Sequence, residues 1–218
     1  MPAFQALVEG YQRFRAGPWR EQRLRYDALA SGQAPRVMVI ACSDSRVDPT
    51  RVFDAAPGEM FILRNIANLV PPMDQSLAQS SVGAALEYAV LGLRVEYIIV
   101  FGHARCGGIA ASLSGAFRDG KAAGSSFLDR WMALISPVRN RVLEAVAASP
   151  DIDPQPVLER ASIRQSLANL RSYPFVAEAE SAGQTRLMGT MFDIADGRLL
   201  ILNPESDIFE PVAVAPAA

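Results

Sequence analysis

The chain is sparing with the side chains that bind metals or carry acid–base chemistry: its 218 residues include only two cysteines and one histidine. So few cysteines exclude the disulfide framework of a small secreted fold. No Cys-x-x-Cys is present, which excludes a dithiol redox site of that kind. A phosphatase loop needs an arginine six residues after its cysteine, and Asp48 and Ser112 occupy those positions. Charge is nearly balanced, with 21 Lys and Arg against 23 Asp and Glu for a net charge of −2, and the arginines are dispersed. Neither property gives a reason to expect nucleic acid. A long apolar run is also missing. The most apolar stretch, Tyr88 to Phe101, is broken by Arg94 and Glu96, so no membrane span is expected. Glu9, Arg13 and Arg15 interrupt the region where a secretory signal would need apolar residues, and a reducing cytoplasm is the expected location. There is no internal repeat. With half of its residues hydrophobic, a chain of this length is expected to form one domain over residues 1–218.

What is present alternates between strand and helix signals. Phe4, Leu7, Val8, Tyr11 and Phe14 recur at helical spacing, and a second helix is expected from Pro18 to Ala30 with Gly32 as its stop. Val37 to Ala41 is a continuous apolar run, as in a strand buried on both faces. Glu59 to Leu63 reads as the next strand, Ser76 to Leu93 as a long helix, and Tyr97 to Phe101 as a β-branched strand. Helices are expected after Cys106, around Leu128 to Ala148 and from Pro156 to Leu170, with a surface loop at Asp151 to Pro156. A hairpin of Thr185–Asp193 and Arg198–Leu202 turns at Ala195-Asp196-Gly197, and the tail from Pro211 is expected to be loosely held. This order predicts an α/β fold with a mostly parallel central sheet, in the order 2-1-3-4 with an antiparallel edge strand. Helices flank the sheet, and residues 1–31 form an N-terminal helical arm.

The scarce side chains are clustered. Cys42 opens Cys-Ser-Asp-Ser-Arg, ending at Arg46, and His103 and Cys106 lie in Gly-His-Ala-Arg-Cys-Gly-Gly, ending at Gly108. Each has an ordinary explanation: a buried cysteine is commonly a small hydrophobe, and a lone histidine a satisfied polar group. A Cys42–Cys106 disulfide is another, disfavoured without a secretory signal. Placement favours a metal site. Both motifs follow predicted central strands, and open α/β sheets bind ligands beyond the carboxyl ends of their strands where strand order reverses. Two thiolates and one imidazole suit Zn²⁺ and leave its fourth position open. Asp44 and Arg46 then acquire roles. If the segment is extended, alternation puts Cys42, Asp44 and Arg46 on one side, with Arg46 holding a carboxylate beside the metal. Gly107 and Gly108 would let a substrate approach the amides at a helix N-terminus.

Cys-Ser-Asp-Ser-Arg and Gly-His-x-x-Cys-Gly-Gly, in that order and separation, resemble the two signatures of the β-class carbonic anhydrases. The similarity runs from about Gly32 to Ala111 and includes Pro57-Gly58-Glu59, Arg64-Asn65-Ile66-Ala67-Asn68 and Glu87-Tyr88-Ala89-Val90. It implies one Zn²⁺ per chain on Cys42, His103 and Cys106, with Asp44 and Arg46 as the catalytic pair. It also implies reversible hydration of CO₂ to bicarbonate and a proton by hydroxide generated at zinc. Gln33, Phe61, Ile66 and Tyr88 match positions that line the family's substrate pocket. The resemblance further implies a homodimer or larger homo-oligomer, with the N-terminal helices packed on the partner. Ala104 departs from the serine of many members, a minor change. Members with a tryptophan three residues before the first cysteine have a closed form with the aspartate on zinc; Val39 stands there instead. With Gln33 and Pro71-Pro72, this resembles the plant-type, unregulated branch. Two other readings fit the same ligands: hydrolysis of CS₂ or COS, and a non-catalytic zinc module acting through its partners.

Overall fold

The computed structural model describes residues 2–75, 80–116, 126–147, 149 and 151–214. Six strands form one sheet: β1 Val37–Cys42, β2 Met60–Asn65, β3 Tyr97–His103, β4 Arg186–Asp193, β5 Arg198–Leu202 and β6 Phe209–Pro211. Their order is β2-β1-β3-β4-β5-β6. β2, β1, β3 and β4 are mutually parallel, whereas β5 and β6 add on antiparallel. The expected order and the closing hairpin both hold. The sixth strand was not expected. Phe209–Pro211 runs into the tail expected to be loosely held from Pro211, yet it pairs with Leu200–Leu202. Pro211 is tolerated there because β6 has no further strand to receive an N–H.

β1 explains why the sheet is the core of the molecule. Met38, Val39, Ile40 and Ala41 are completely buried, alternately facing two apolar layers. Burying each larger side chain stabilises by about 1.5–3 kcal/mol, so a polar residue anywhere in this run would be costly. Met38 and Ile40 pack toward the layer containing Ile163, Leu167 and Leu170, whereas Val39 and Ala41 pack with Val47 and Phe101. The helix Pro154–Leu170 covers β3 and β4 unusually closely, because both strands carry a glycine beneath it. A Cβ on Gly102 would lie 2.6 Å from Ile163 Cδ1, and one on Gly189 would lie 2.9 Å from Ile163 Cγ2. Ile163 fills that notch.

Helix boundaries depart from the sequence expectations in four places. The arm is split into Pro2–Ala16, Pro18–Glu21 and Arg23–Leu29, because Gln22 leaves helical geometry at φ −101°, ψ 21°. The expected helix from Ser76 has residues 76–79 outside the described set. It is α-helical over Ser81–Glu87 and widens into a π-helix over Tyr88–Leu93 before Arg94 ends it in a left-handed conformation. The stretch expected from Leu128 consists of Phe127–Met132, a 3₁₀ turn at Ala133–Ile135, and Ser136–Ala147. Ala148 lies outside the described residues. The expected loop at Asp151–Pro156 is shorter, because Asp153 accepts the Gln155 amide at 2.9 Å and Pro154 opens the helix. Pro174–Ser181 is a further helix with no counterpart in the sequence reading. Among the described residues no helix is long and apolar enough to cross a membrane.

Candidate metal centre

Three side chains meet at the carboxyl end of the sheet. Cys42 is the last residue of β1, and His103 is the last residue of the adjacent parallel strand β3. Cys106 follows as the N-cap of the helix Gly107–Ser114. The sulfur of Cys42, a ring nitrogen of His103 and the sulfur of Cys106 all lie within 4.8 Å of one another, and all three residues are buried. Both cysteines are free thiols.

The donors are set for a soft dication. His103 Nδ1 lies 2.9 Å from the Ala104 carbonyl, so Nδ1–H donates there and the Nε2 lone pair is left for a metal. Nε2 is buried and has no hydrogen-bond partner, a costly state for a polar atom unless an ion completes it. Contact with Cys106 is the leading cause that pulls the Cys42 thiol down to about 4, aided by His103 and by the amides of Asp44 and Ala67. Contact with Cys42, followed by burial, pushes the Cys106 thiol up. Two thiols so close share a proton, and a bound dication would displace it. The amides of Ile109 and Gly108 face the Cys106 sulfur and favour its thiolate form. Burial lowers His103, but the neighbouring sulfur of Cys42, the Ala104 carbonyl and Asp44 outweigh it, and the imidazole is raised overall. The residues fit Zn²⁺.

A family model described as Carbonic anhydrase matches residues 37–199. Beta carbonic anhydrase 3 of Arabidopsis thaliana is 36% identical over 198 residues, covering 90% of this chain and 76% of that one. The chain belongs to the β-carbonic anhydrase family. Two sets of solved structures agree. The β-carbonic anhydrase CcaA superposes with a TM-score of 0.88 at 31% identity, covering 96% of this chain and 100% of that chain. One of two tetrameric β-carbonic anhydrases from Sordaria macrospora gives a TM-score of 0.81 at 29% identity, covering 93% and 98%. Zinc is the metal of this family, and Cys42, His103 and Cys106 are placed to bind one ion.

Asp44 and Arg46 sit beside this group, although not as an extended segment places them. Val47 N–H donates to Asp44 O at 3.2 Å, so the backbone turns, and Arg46 N–H donates to Asp44 Oδ1 at 3.0 Å. The turn folds the guanidinium back: Arg46 Nε donates to Oδ1 at 2.9 Å and Nη2 to Oδ2 at 2.7 Å. The same Nη2 donates to the Arg105 carbonyl at 2.9 Å, which ties the two motifs together. Asp44 Oδ2 lies 3.9 Å from His103 Nε2. The Arg46 side chain, ahead of the other influences, holds the Asp44 carboxyl well below the usual carboxylate range.

The remaining pocket candidates divide into two groups. Ile66 and Gly108 face each other beside the ligands, since a Cβ on Gly108 would lie 3.0 Å from Ile66 Cγ2. Gly107 borders open space. Phe61 and Tyr88 are elsewhere. Their rings pair at 5.6 Å, and Phe61 is level with Met38, four residues before the Cys42 end of β1, which is about 13 Å along a strand. Gln33 precedes the start of β1 altogether. Within one chain these three do not share the metal's surroundings.

Two contributors escaped the sequence reading. Arg64 donates to the carbonyls of Cys42, Asp44 and Val47 at 2.9, 2.7 and 3.0 Å, cradling the whole Cys42–Val47 turn. Its place in the Arg64–Asn68 signature was the available signal. Glu159 is 3% exposed and accepts the Cys106 amide at 2.9 Å from 53 residues away. Nothing local in the sequence marks it.

Proposed function

We propose that this chain hydrates CO₂ reversibly to bicarbonate and a proton, with zinc held by Cys42, His103 and Cys106 and with Asp44 and Arg46 as the catalytic pair. The observation that carries this is the unpartnered His103 Nε2 facing two thiols beside an ionised carboxylate. Zinc, when bound, supplies Lewis acidity that makes water nucleophilic near neutral pH. Asp44, kept ionised by Arg46, accepts a hydrogen bond from the reacting water and orients it. Ile66 and Gly108 offer an uncharged linear substrate an apolar, close-fitting approach, and Gly107 leaves open space where a side chain would stand. The carbonic anhydrase matches favour CO₂ over CS₂ or COS and over a non-catalytic zinc module. Stopped-flow CO₂ hydration with zinc quantification, beside a CS₂ assay, tests this. A zinc-loaded protein without CO₂ hydration, or with faster CS₂ hydrolysis, would refute it.

The substrate pocket is completed across a homodimer. Gln33, Phe61 and Tyr88 are separated from the metal group of their own chain, yet Tyr88 is 52% exposed and free to face a partner. The arm offers the docking surface: its helices bury no residue, and Phe4, Leu7, Tyr11 and Leu24 are exposed. Residues 1–31 form this arm of one domain, and assembly beyond the dimer, as in the tetrameric Sordaria enzymes, is compatible. A reducing cytoplasm suits two thiols that must stay unpaired. Mixed dimers check the arrangement. Cys42→Ser chains and Phe61→Ala/Tyr88→Ala chains should each be nearly inactive alone. A purified heterodimer should regain about half of wild-type activity, because one of its two symmetry-related sites is complete. No recovery would mean that each pocket is built within one chain.

Every hydration turnover also releases a proton, and rapid relay wants a group titrating near neutrality. His103 is the one histidine and is committed to the metal. Asp44 is held too low to serve. At fixed ionic strength, kcat should therefore rise and saturate with buffer concentration, while kcat/KM stays nearly constant. A buffer-independent kcat would mean that the protein has its own relay.

A further inference from the structure

Cys106 is gripped from both sides. Its sulfur faces the amides of Gly108 and Ile109, while its own amide donates to Glu159 Oε1 at 2.9 Å. Glu159 comes from the helix Pro154–Leu170. Gln155 Nε2 donates to Oε1 at 2.9 Å. The residue is 3% exposed, an expensive position for a carboxylate unless its hydrogen bonds do something specific. The loop it grips is under tension. Arg105 is a non-glycine residue at φ 57°, immediately before the ligand, and such conformations persist only where surrounding bonds over-determine them.

The helix is seated so that Glu159 reaches this loop. Ile163, one turn later on the same face, fills the notch between Gly102 and Gly189. Gly102 directly precedes His103, so one helix face registers against β3 and grips the loop that follows it. Arg46 also grips the loop, through the Arg105 carbonyl.

We propose that Glu159 is a positioning residue of the zinc site: through the amide of Cys106 it locks the His103–Cys106 loop in the conformation that presents Cys106 to the metal. This rests on zinc occupying Cys42, His103 and Cys106. It acts through a backbone amide and touches neither metal nor substrate.

The test is the rate at which zinc leaves the loaded protein for an excess of a chromogenic chelator. Glu159→Ala should speed that loss by about 10–100-fold, the usual range for an outer partner of a metal ligand. Glu159→Gln keeps the volume and one acceptor oxygen, so it should fold even if the alanine variant does not. It should release zinc at least threefold faster than wild type but more slowly than the alanine variant. Leu167→Ala removes a buried side chain further along the same helix and controls for helix stability. It should lower Tm while leaving zinc release at the wild-type rate. In the cobalt-substituted protein, the thiolate charge-transfer bands should shift for Glu159→Ala and not for Leu167→Ala. Wild-type release rates in both Glu159 variants would overturn the proposal, as would equal acceleration by Leu167→Ala at matched loss of Tm. A wild-type protein that takes up no zinc would instead overturn the metal assignment, and this proposal with it.

Discussion

Cys106→Ser is expected to leave a folded chain that retains almost no zinc and has lost CO₂ hydration. The hydroxyl is close in size to the thiol, and residue 106 keeps its amide bond to Glu159, so the buried layer around Ile109 and Met132 should survive. What disappears is a soft anionic donor. Serine stays protonated at neutral pH and cannot replace a thiolate on a borderline-soft dication. Among the described residues three protein donors converge here, so the loss of one should exceed the ~10–100-fold that removing an outer hydrogen bond costs a metal site. Cys42→Ser and His103→Ala should behave alike. Zinc content by elemental analysis, circular dichroism and stopped-flow hydration measured together provide the check. Normal zinc and turnover in Cys106→Ser would remove the basis of the metal assignment.

Arg46→Ala should separate chemistry from metal binding. Arg46 donates no group to the metal cluster, so zinc content should remain near wild type. The two-pronged grip on Asp44 is lost, however, and kcat/KM should fall by about 10²-fold or more, the scale of a misplaced group that orients the reacting water. Lysine offers a point charge rather than a fork, so Arg46→Lys should recover only part of the rate. The sign of the pH effect follows from Asp44. With Arg46 present, the folded carboxyl titrates below its unfolded value. The pair's stabilisation is therefore fully present above the ordinary carboxylate pKa and disappears only as pH falls through the lower folded value. Arg46 is half exposed, so its share of stability is small and the effect belongs to the rate. Without Arg46, the Asp44 carboxyl rises and the acid limb of kcat/KM moves to higher pH. An unshifted limb with unchanged rate would remove Asp44 and Arg46 from the mechanism, whereas loss of zinc would make Arg46 a structural support.

Val39 is wholly buried in β1, and both oxygens of Asp44 are engaged by Arg46. The dyad was legible as residue types at a spacing, but its geometry was not. An extended reading and a turn both bring Asp44 near Arg46, and the three carbonyls gathered by Arg64 hold the turn from outside the motif. The same limit applies to helix ends. Apolar periodicity from Val82 to Leu93 is indifferent to whether the coil is α or π, so the change at Tyr88 carries no signal in it. Phe209–Pro211 became a strand because β5 presented an edge to pair with, a fact external to those three residues.

The chain's own order of residues determined the chemistry and the scaffold. Two thiols and one imidazole are rare enough here that their grouping in two motifs is informative, and the apolar runs Val37–Ala41 and Tyr97–Phe101 fix buried parallel strands through short-range hydrophobic pattern. Tertiary structure decided what lies next to what. Strand register brings the ends of β1 and β3 together. The notch at Gly102 and Gly189 sets the helix that carries Glu159 to Cys106. The same register holds Phe61 and Tyr88 away from the metal group of their own chain. Local sequence encodes side-chain chemistry and backbone preference within a few residues. Contacts across 53 residues, or between chains, depend on how buried faces fit, and that fit is a property of the assembled volume.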